Sequence, residues 1–346
     1  MKVAIIGPVL TKEQSGGVAV FDEGLYDGMK ENEIETILVS FGKSLAKNNV
    51  ILGNKKPVLF RKKHFKKISK ILKSEKIDLA ICSLEYTSGI KIYKKMNPST
   101  FFVQVIHGFP CVTDGKIKTF LLKRNFRFTS KYFDKTVNVS FLSYAINKKI
   151  YGISSNEVIP NGCNFMPIKG KIKKDIDFLY VGRLTPGKNI DLVANAMIEA
   201  MKAQSSLECC IVGYGDLEKD FLEGGKYYQT GINFLGRKNQ HEVREIMQRA
   251  KFFISLNPLE PFGIVFLEAA LSKCNIISQN CFGAAPIFEG KKYFHTANEL
   301  DYKVLGKKLI SSLENYYEIS DDEVNKLSKE YSYKNIAAKY LKLLDH

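Results

Sequence analysis

The sequence predicts an α/β fold in which parallel sheets form two domains. Short apolar runs alternate with amphipathic stretches along the chain, which is typical of buried strands connected by helices. At 346 residues the chain is too long for one ordinary hydrophobic core. A polar, lysine-rich interval at residues 169–174 separates the two halves and indicates a linker between two domains.

The predicted elements alternate in both halves of the chain. In the first half the predicted strands are Val3–Ile6, Thr36–Val39, Leu79–Cys82, Phe101–Ile106 and Val137–Leu142. The predicted helices there are Val18–Lys30, Lys62–Lys73, Lys116–Tyr132 and Ala145–Tyr151. In the second half the predicted strands are Phe178–Val181, Glu208–Val212, Phe252–Leu256 and Ile276–Ser278, and the predicted helices are Asp191–Met201, Glu242–Ala250 and Phe262–Ser272. Ligands of such sheets bind beyond the carboxyl ends of the strands, so the loops there are candidate sites.

Composition and cysteine usage are those of a globular intracellular protein. Met1–Val9 contains only a short apolar run without a secretory cleavage pattern, and no run approaches the ~20 apolar residues of a spanning helix. The seven cysteines include no C-x-x-C, and Cys209 and Cys210 lie in an apolar run. We expect a reducing cytoplasm and no cysteine-bound metal.

Positive charge is concentrated in the first half. Residues 1–165 carry 27 basic and 13 acidic side chains, a net +14 of the total +16. Segments 61–73 and 116–127 mix lysine and arginine with large apolar residues, and the first places Phe65, Ile68 and Leu72 near one helical face. Such helices can lie on an anionic membrane, which we favour, or pack on a core with a solvated basic back. Nucleic-acid binding is the weakest interpretation because no zinc-finger or RNA-recognition signature occurs.

A segment in the second half, residues 258–268, has the strongest chemical signature. Glu260 follows a predicted strand, and Glu268 lies inside the predicted helix. Gly263 lets the backbone approach a ligand, and the free N–H groups of the first helical turn point towards it. Ionised carboxylates only accept hydrogen bonds and sugar hydroxyls donate them, so the segment can hold a polyol. A buried helix with two incidental glutamates is the alternative.

Five further motifs occur around this segment, and their order is specific. They are Ser15–Val18, Ile159–Gly162, Asp177–Asn189, Ile211–Glu218 and Tyr331–Tyr333. With the E-x7-E spacing of Glu260 and Glu268, they resemble the N-terminal glycine loop, P-N-G, diphosphate loop, nucleotide turn and C-terminal segment of the retaining, family-four glycosyltransferases. The resemblance covers nearly the whole chain.

The resemblance implies a glycosyltransferase-B fold, with two Rossmann-like domains facing a cleft. Residues 1–165 would form the acceptor domain, with the C-terminal helix 331–346 packed back on it. Residues 170–330 would form the nucleotide-sugar donor domain.

The resemblance also implies the roles of the candidate site residues. Arg183 and Lys188 would neutralise the donor diphosphate, for which a planar guanidinium and a compact ammonium are suited. Glu268 would accept hydrogen bonds from the ribose, Glu260 would lie near the donor sugar, and His107 would position the sugar or support it electrostatically. The backbone contacts to the donor would come from Gly16, Gly17, Gly182, Gly213, Gly215, Phe262, Gly263 and Ile264.

The implied activity is retaining transfer of a sugar from a nucleotide, with UDP-hexose or UDP-N-acetylhexosamine expected. The acceptor would be a lipid-linked glycan or polysaccharide in lipopolysaccharide, O-antigen or capsule synthesis, at the inner face of the cytoplasmic membrane. No cofactor and no metal are expected, because the cleft loops carry no aspartate-x-aspartate motif and the two cations can replace a divalent ion. The alternatives are another enzyme on this fold, such as a nucleotide-sugar 2-epimerase or a phosphorylase, and a non-catalytic basic scaffold.

Overall fold

The computed structural model describes residues 1–11, 16–109, 116–153, 157–165, 172–257, 259–280 and 282–345, with the backbone alone for 116–118. The chain divides into two compact units. The first contains Met1–Asn164 and Glu330–His346, and the second contains Phe165–Lys329. Part of the predicted linker, residues 169–171, lies outside the described ranges, as do Ser15 and Pro258 of the predicted motifs.

The first unit contains a seven-stranded parallel sheet of order β3-β2-β1-β4-β5-β6-β7. Its strands are β1 (Lys2–Ile6), β2 (Glu35–Ser40), β3 (Val50–Ile51), β4 (Leu79–Ser83), β5 (Phe101–Ile106), β6 (Lys135–Asn138) and β7 (Glu157–Val158). The helices that connect them are α1 (Gly17–Glu31), α2 (Lys62–Ser74), α3 (Ile90–Met96), α4 (Lys116–Thr129) and α5 (Phe141–Ala145). The strand order reverses between β1 and β4, as in Rossmann-like domains.

The second unit repeats this plan with six parallel strands of order β10-β9-β8-β11-β12-β13. Its strands are β8 (Ile176–Arg183), β9 (Cys209–Tyr214), β10 (Asn233–Phe234), β11 (Ala250–Ser255), β12 (Asn275–Ser278) and β13 (Phe294–Thr296). Its helices are α6 (Ile190–Ala203), α7 (Gln240–Arg249), α8 (Ile264–Leu271), α9 (Ala285–Phe288), α10 (Tyr302–Glu314) and α11 (Asp321–Glu330). The prediction of two Rossmann-like parallel sheets is confirmed.

The predicted strand Val137–Leu142 is wrong in its second half. Strand β6 ends at Asn138 and helix α5 begins at Phe141. Ser140 stops the strand, because its side-chain oxygen accepts the backbone N–H of Ser143 and caps the helix. The apolar run therefore continues across two elements, which periodicity alone does not separate.

Helix α2 turns its apolar face into the core of the first unit. Phe65, Ile68 and Leu72 are all buried in one cluster with side chains of the sheet. The basic residues of this helix therefore form the solvated back of a core helix. For this segment the structure favours the second of the two interpretations above.

The described ranges contain five cysteines, and all of them are buried: Cys82, Cys163, Cys209, Cys210 and Cys274. They pack as small apolar side chains. None of the helices in those ranges has the length and apolar character needed to cross a bilayer.

The end of the chain returns to the first unit as α12 (Tyr333–Leu341), which packs against α1. Two glycines of α1 make this approach possible. A Cβ atom on Gly28 would lie 2.1 Å from the backbone oxygen of Tyr333, and one on Gly24 would lie 2.2 Å from the Tyr333 ring. The two helices therefore pack more closely than any side chain at these positions would allow.

We expect Gly28→Ala to destabilise the protein. Alanine normally stabilises a helix interior relative to glycine by roughly 0.5–1 kcal/mol, but the clash with backbone here should cost about 1–3 kcal/mol or more. Denaturant unfolding measures the change. Gly17→Ala is the matched control in the same helix, because its Cβ would meet no atom of the described residues within 4 Å. Equal stability of the two variants would contradict the packing argument.

Candidate functional site

Most of the candidate residues lie at the carboxyl edge of the second sheet. Strand β8 ends at Arg183 and leads into a short 3-10 turn, Pro186–Lys188. The adjacent strand β11 ends at Ser255 and leads through the loop of Glu260 into α8. The strand order reverses between β8 and β11, and loops at such a point form the ligand crevice of an open α/β sheet.

Lys188 and Glu260 form a direct ion pair, which the motifs do not predict. The Lys188 Nζ lies 2.6 Å from Glu260 Oε2, and both side chains are largely buried. Asn257 Nδ2 donates to the same oxygen at 2.8 Å. Because Oε2 accepts both hydrogen bonds, these two donors hold the carboxylate in one orientation.

The second carboxylate oxygen of Glu260 is left to accept other donors. No protein donor to Oε1 occurs among the described residues. The backbone is held as well, since Gly283 N–H donates to the Glu260 carbonyl at 2.9 Å. An oriented carboxylate with one available oxygen is suited to binding a hydroxyl group.

Gly263 shapes the loop between Glu260 and α8. It is the residue before the helix and has φ +88°, a left-handed conformation that glycine adopts without strain. A Cβ atom there would lie 2.5 Å from the Phe266 ring and 3.0 Å from Glu260 Cγ. Phe262 is buried, and its carbonyl accepts the Ala284 N–H at 3.0 Å. Ile264 begins the helix, so the first-turn N–H groups follow directly after Gly263.

The glycines of β8 and β9 have a structural role. Gly182 and Gly213 are opposite each other in the parallel register. A Cβ on Gly213 would lie 2.0 Å from the Gly182 carbonyl oxygen, and a Cβ on Gly215, which has φ +149°, would lie 2.5 Å from the Leu184 oxygen. These glycines are required for close packing of the two strand ends, whether or not a nucleotide also approaches them.

Arg183 is exposed at the end of β8. Its carbonyl accepts the Tyr180 hydroxyl at 3.1 Å, which anchors the backbone just before the turn that carries Lys188. The Arg183 guanidinium therefore extends from a backbone position that this hydrogen bond stabilises. A planar cation in such a position suits a phosphate group.

Glu268 differs electrostatically from Glu260. It lies in the middle of α8, and burial raises its pKa to about 7. The desolvated carboxylate has no cationic partner in the described part of the chain, whereas Glu260 is paired with Lys188. The two glutamates of the motif therefore lie in different electrostatic surroundings.

Three candidate residues lie in the first unit. Gly16 and Gly17 are at the start of α1, and a Cβ at either would meet none of the described atoms within 4 Å. His107 follows β5, packs edge-on against Phe21 of α1 at 4.7 Å between ring centroids, and lies 3.1 Å from Ser83 Oγ through Nε2. Burial lowers the pKa of His107 to about 3, so its imidazole is neutral at physiological pH.

Residues 164–334 match the model of the family described as Glycosyl transferases group 1. The matched region belongs to this glycosyltransferase family. The matched region covers the second unit, which contains Arg183, Lys188, Glu260 and Glu268. The predicted resemblance is confirmed.

Related proteins agree with this assignment. The chain is 24% identical over 328 residues to an uncharacterized glycosyltransferase of Methanocaldococcus jannaschii, covering 84% of this chain and 83% of that protein. It is 28% identical over 136 residues to the gpi3 subunit of phosphatidylinositol N-acetylglucosaminyltransferase of Schizosaccharomyces pombe, covering 38% of this chain and 30% of that subunit. The crystal structure of Anabaena HepE in complex with UDP matches with a TM-score of 0.77 at 15% identity, covering 100% of both chains, which shows the glycosyltransferase-B fold.

Sequence reasoning missed three residues that organise these sites. Asn257 fixes the Glu260 carboxylate, and its only sequence signal is a polar residue directly after a buried strand. Asp22 and Ser83 form a buried hydrogen-bonded chain to His107. Asp22 lies on the otherwise apolar face of a predicted helix, and Ser83 ends an apolar strand, so each is a polar residue in an apolar pattern.

We expect the raised pKa of Glu268 to lower stability as pH rises. Its folded-state pKa is about 7 against 4.5 for the ordinary group, so between these values the folded state binds more protons than the unfolded state. Stability therefore falls from pH 4.5 to pH 7 and the loss persists above, by up to ~3 kcal/mol. Denaturant unfolding of wild type and Glu268→Gln at pH 5 and pH 8 measures this. The stability of Glu268→Gln relative to wild type should be higher at pH 8 than at pH 5. Parallel stability profiles for the two proteins would contradict the raised pKa of Glu268.

Proposed function

We propose that the protein is a retaining glycosyltransferase that transfers a hexose or N-acetylhexosamine from UDP to a lipid-linked or polysaccharide acceptor in cell-surface glycan synthesis. The observation that carries the proposal is the Lys188–Glu260–Asn257 arrangement at the carboxyl edge of the second sheet. It fixes one carboxylate oxygen, leaves the other available, and places a cation beside it. HepE has been crystallised with UDP and with UDP-glucose, which supports the choice of nucleotide.

Arg183 and Lys188 stabilise the leaving group in this proposal. As the bond between the anomeric carbon and the phosphate oxygen breaks, negative charge develops on the UDP diphosphate. Arg183 is the last residue of β8 and Lys188 lies in the turn that follows, and fixed donors aimed at developing charge are a large catalytic contribution. Within the described ranges, no group of three or more histidine, cysteine or acidic side chains could hold a metal ion. Because both cations lie at the end of β8, we propose that they neutralise the diphosphate without a divalent ion.

The carboxylates serve the sugar and the nucleoside. The available oxygen of Glu260 accepts hydroxyl donors of the transferred sugar, and the N–H groups of Phe262, Gly263 and Ile264 complete this contact. Glu268 accepts the ribose hydroxyls. A Cβ on Gly16 or Gly17 would meet no described atom within 4 Å, and a diphosphate that approaches the start of α1 would account for glycine at both.

Retention requires the acceptor to attack from the face that UDP leaves. The acceptor oxygen forms the new bond to the anomeric carbon while the bond to the phosphate oxygen breaks, and the acceptor proton passes to that phosphate oxygen. No protein base is required. His107 fits this scheme as a neutral positioning group because its pKa is about 3.

A transfer assay tests the proposal. We expect UDP release from one UDP-sugar, stimulated by a lipid-linked acceptor extract, with the anomeric configuration of the product equal to that of the donor by proton NMR. Glu260→Gln and Lys188→Ala should each lower kcat by about 10²-fold or more, because each removes an oriented charge. Lys202→Ala is the matched control, since it breaks an exposed lysine–glutamate pair in the same unit.

The same assay has clear opposing outcomes. Excess chelator should leave the rate unchanged, whereas loss that a divalent ion restores would overturn the metal-independent scheme. Product of inverted configuration would overturn retention. Absence of UDP release from every donor, together with no thermal stabilisation by UDP, would overturn the activity.

The exposed side of α4 supports a membrane-bound acceptor. Phe120, Leu121 and Phe128 are 61%, 56% and 45% exposed on this helix. Lys91 lies over the Phe128 ring at 4.5 Å, and Lys123 lies 5.7 Å from the centre of the Tyr151 ring. Large apolar groups interleaved with cations are what an anionic bilayer surface binds. We therefore propose that α4, and not α2, contacts the inner face of the cytoplasmic membrane.

Vesicle co-sedimentation tests the α4 contact. We expect binding to phosphatidylglycerol-containing vesicles, and the double variant Phe120→Ser, Leu121→Ser should weaken it at least tenfold, since each buried side chain contributes roughly 1.5–3 kcal/mol. Val58→Ser, Leu59→Ser is the matched control, because these residues are equally apolar and more exposed but lie outside α4. An equal loss in both double variants would contradict a specific role for α4.

A further inference from the structure

Three side chains of the first unit form a hydrogen-bonded chain at the carboxyl edge of its sheet. Ser83 ends β4, and its Oγ lies 2.8 Å from Asp22 Oδ1 of α1 and 3.1 Å from Nε2 of His107. Asp22 and Ser83 are fully buried, and His107 retains partial exposure. The chain thus runs from a buried carboxyl group to the imidazole ring next to solvent.

The other oxygen of Asp22, Oδ2, is fully buried and receives no hydrogen-bond donor from the described residues. Gly7 makes room for it, because a Cβ there would lie 2.0 Å from Oδ2. The titratable groups around this carboxyl are Glu23 beside it on α1, Cys82 on β4, His107 after β5, Tyr86 and, from α12, Tyr340. None of these supplies a positive charge.

An ionised carboxylate is unfavourable in this position. It would be a buried charge with one hydrogen bond, one empty oxygen and no cation, and such charges are strongly destabilising. A neutral carboxyl group avoids the charge and is able to donate to Ser83 Oγ across the same 2.8 Å contact. Burial raises the pKa of Asp22 well above its ordinary value, which agrees with the neutral form.

The direction of the hydrogen bonds from Asp22 through Ser83 decides which ring nitrogen of His107 carries the proton. The Ser83 hydroxyl has one hydrogen, so it can donate to only one of its two neighbours. If Asp22 donates to Ser83, then Ser83 donates to Nε2 of His107 and the ring proton must lie on Nδ1. If Asp22 is ionised, the chain reverses and the proton lies on Nε2.

We propose that Asp22, in its neutral form, acts through Ser83 to hold His107 in the tautomer that carries its proton on Nδ1. Asp22 and Ser83 are positioning residues, and His107 presents an N–H donor that does not change charge near neutral pH. The contribution of this donor to sugar transfer rests on the function proposed above. The tautomer itself does not depend on that function.

Nitrogen-15 NMR of histidine-labelled protein measures the tautomer directly. Long-range proton–nitrogen correlations distinguish protonated Nδ1 from protonated Nε2, and His107→Gln identifies the signals. We expect protonated Nδ1 in wild type and in Asp22→Asn, because the asparagine amide also donates to Ser83. Ser83→Ala should shift His107 towards protonated Nε2, which neutral imidazole favours in water. Protonated Nε2 in wild type, or no change in Ser83→Ala, would overturn the proposal.

Kinetics then separates positioning from packing. We expect Asp22→Asn to retain kcat within about threefold, and Ser83→Ala to lower kcat at least tenfold with unchanged KM for the donor. Ser83→Ala should also lower the melting temperature, because Asp22 loses its hydrogen-bond partner, so the split between kcat and KM is the readout for positioning. The kcat of wild type should not titrate with a histidine pKa near neutrality. A wild-type tautomer on Nδ1 in a protein without transferase activity would leave the positioning chain standing and remove the proposed function alone. Loss of activity in Asp22→Asn with the tautomer retained would show that the tautomer is not what the reaction requires.

Discussion

The close parallel pairing of β8 with its neighbours is the constraint on which the second unit depends. Parallel strands bring all their carboxyl ends to one edge, so residues distant in sequence meet there. Gly213 allows β9 to lie against the Gly182 carbonyl, and β11 on the other side carries the loop of Glu260 to Lys188. Backbone packing therefore positions the charged groups of the site, and few additional side-chain hydrogen bonds are needed to hold them.

Three acidic side chains show how environment decides the state of one functional group. Glu260 accepts hydrogen bonds from a lysine and an amide on one oxygen. Glu268 has no cationic partner among the described residues, and desolvation raises its pKa to about 7. Asp22 is buried more completely and is expected to be neutral, so it can donate a hydrogen bond where the other two accept. The fold thus obtains two acceptors and one donor from the same chemical group.

Sequence patterns predicted the fold and the loops of the site, because alternating apolar runs and glycine motifs are local signals. These patterns did not predict which side chains contact each other. The Lys188–Glu260 pair joins residues 72 positions apart, and nothing in either motif indicates that they touch. The two basic helices look alike in sequence, yet the apolar face of α2 is buried and α4 exposes Phe120 and Leu121. Only the packing of the whole unit decides which apolar face remains available.

The return of the chain end to the first unit has a consequence for synthesis on the ribosome. The second unit is one continuous segment, whereas the first unit includes residues from Glu330 onward. All of the second unit is therefore made before α12 can dock on Gly24 and Gly28. Domains fold as units during translation, so the side of α1 that packs against α12 stays uncovered until the second unit has been synthesised. The first unit begins the chain, yet it is the last to acquire all of its residues.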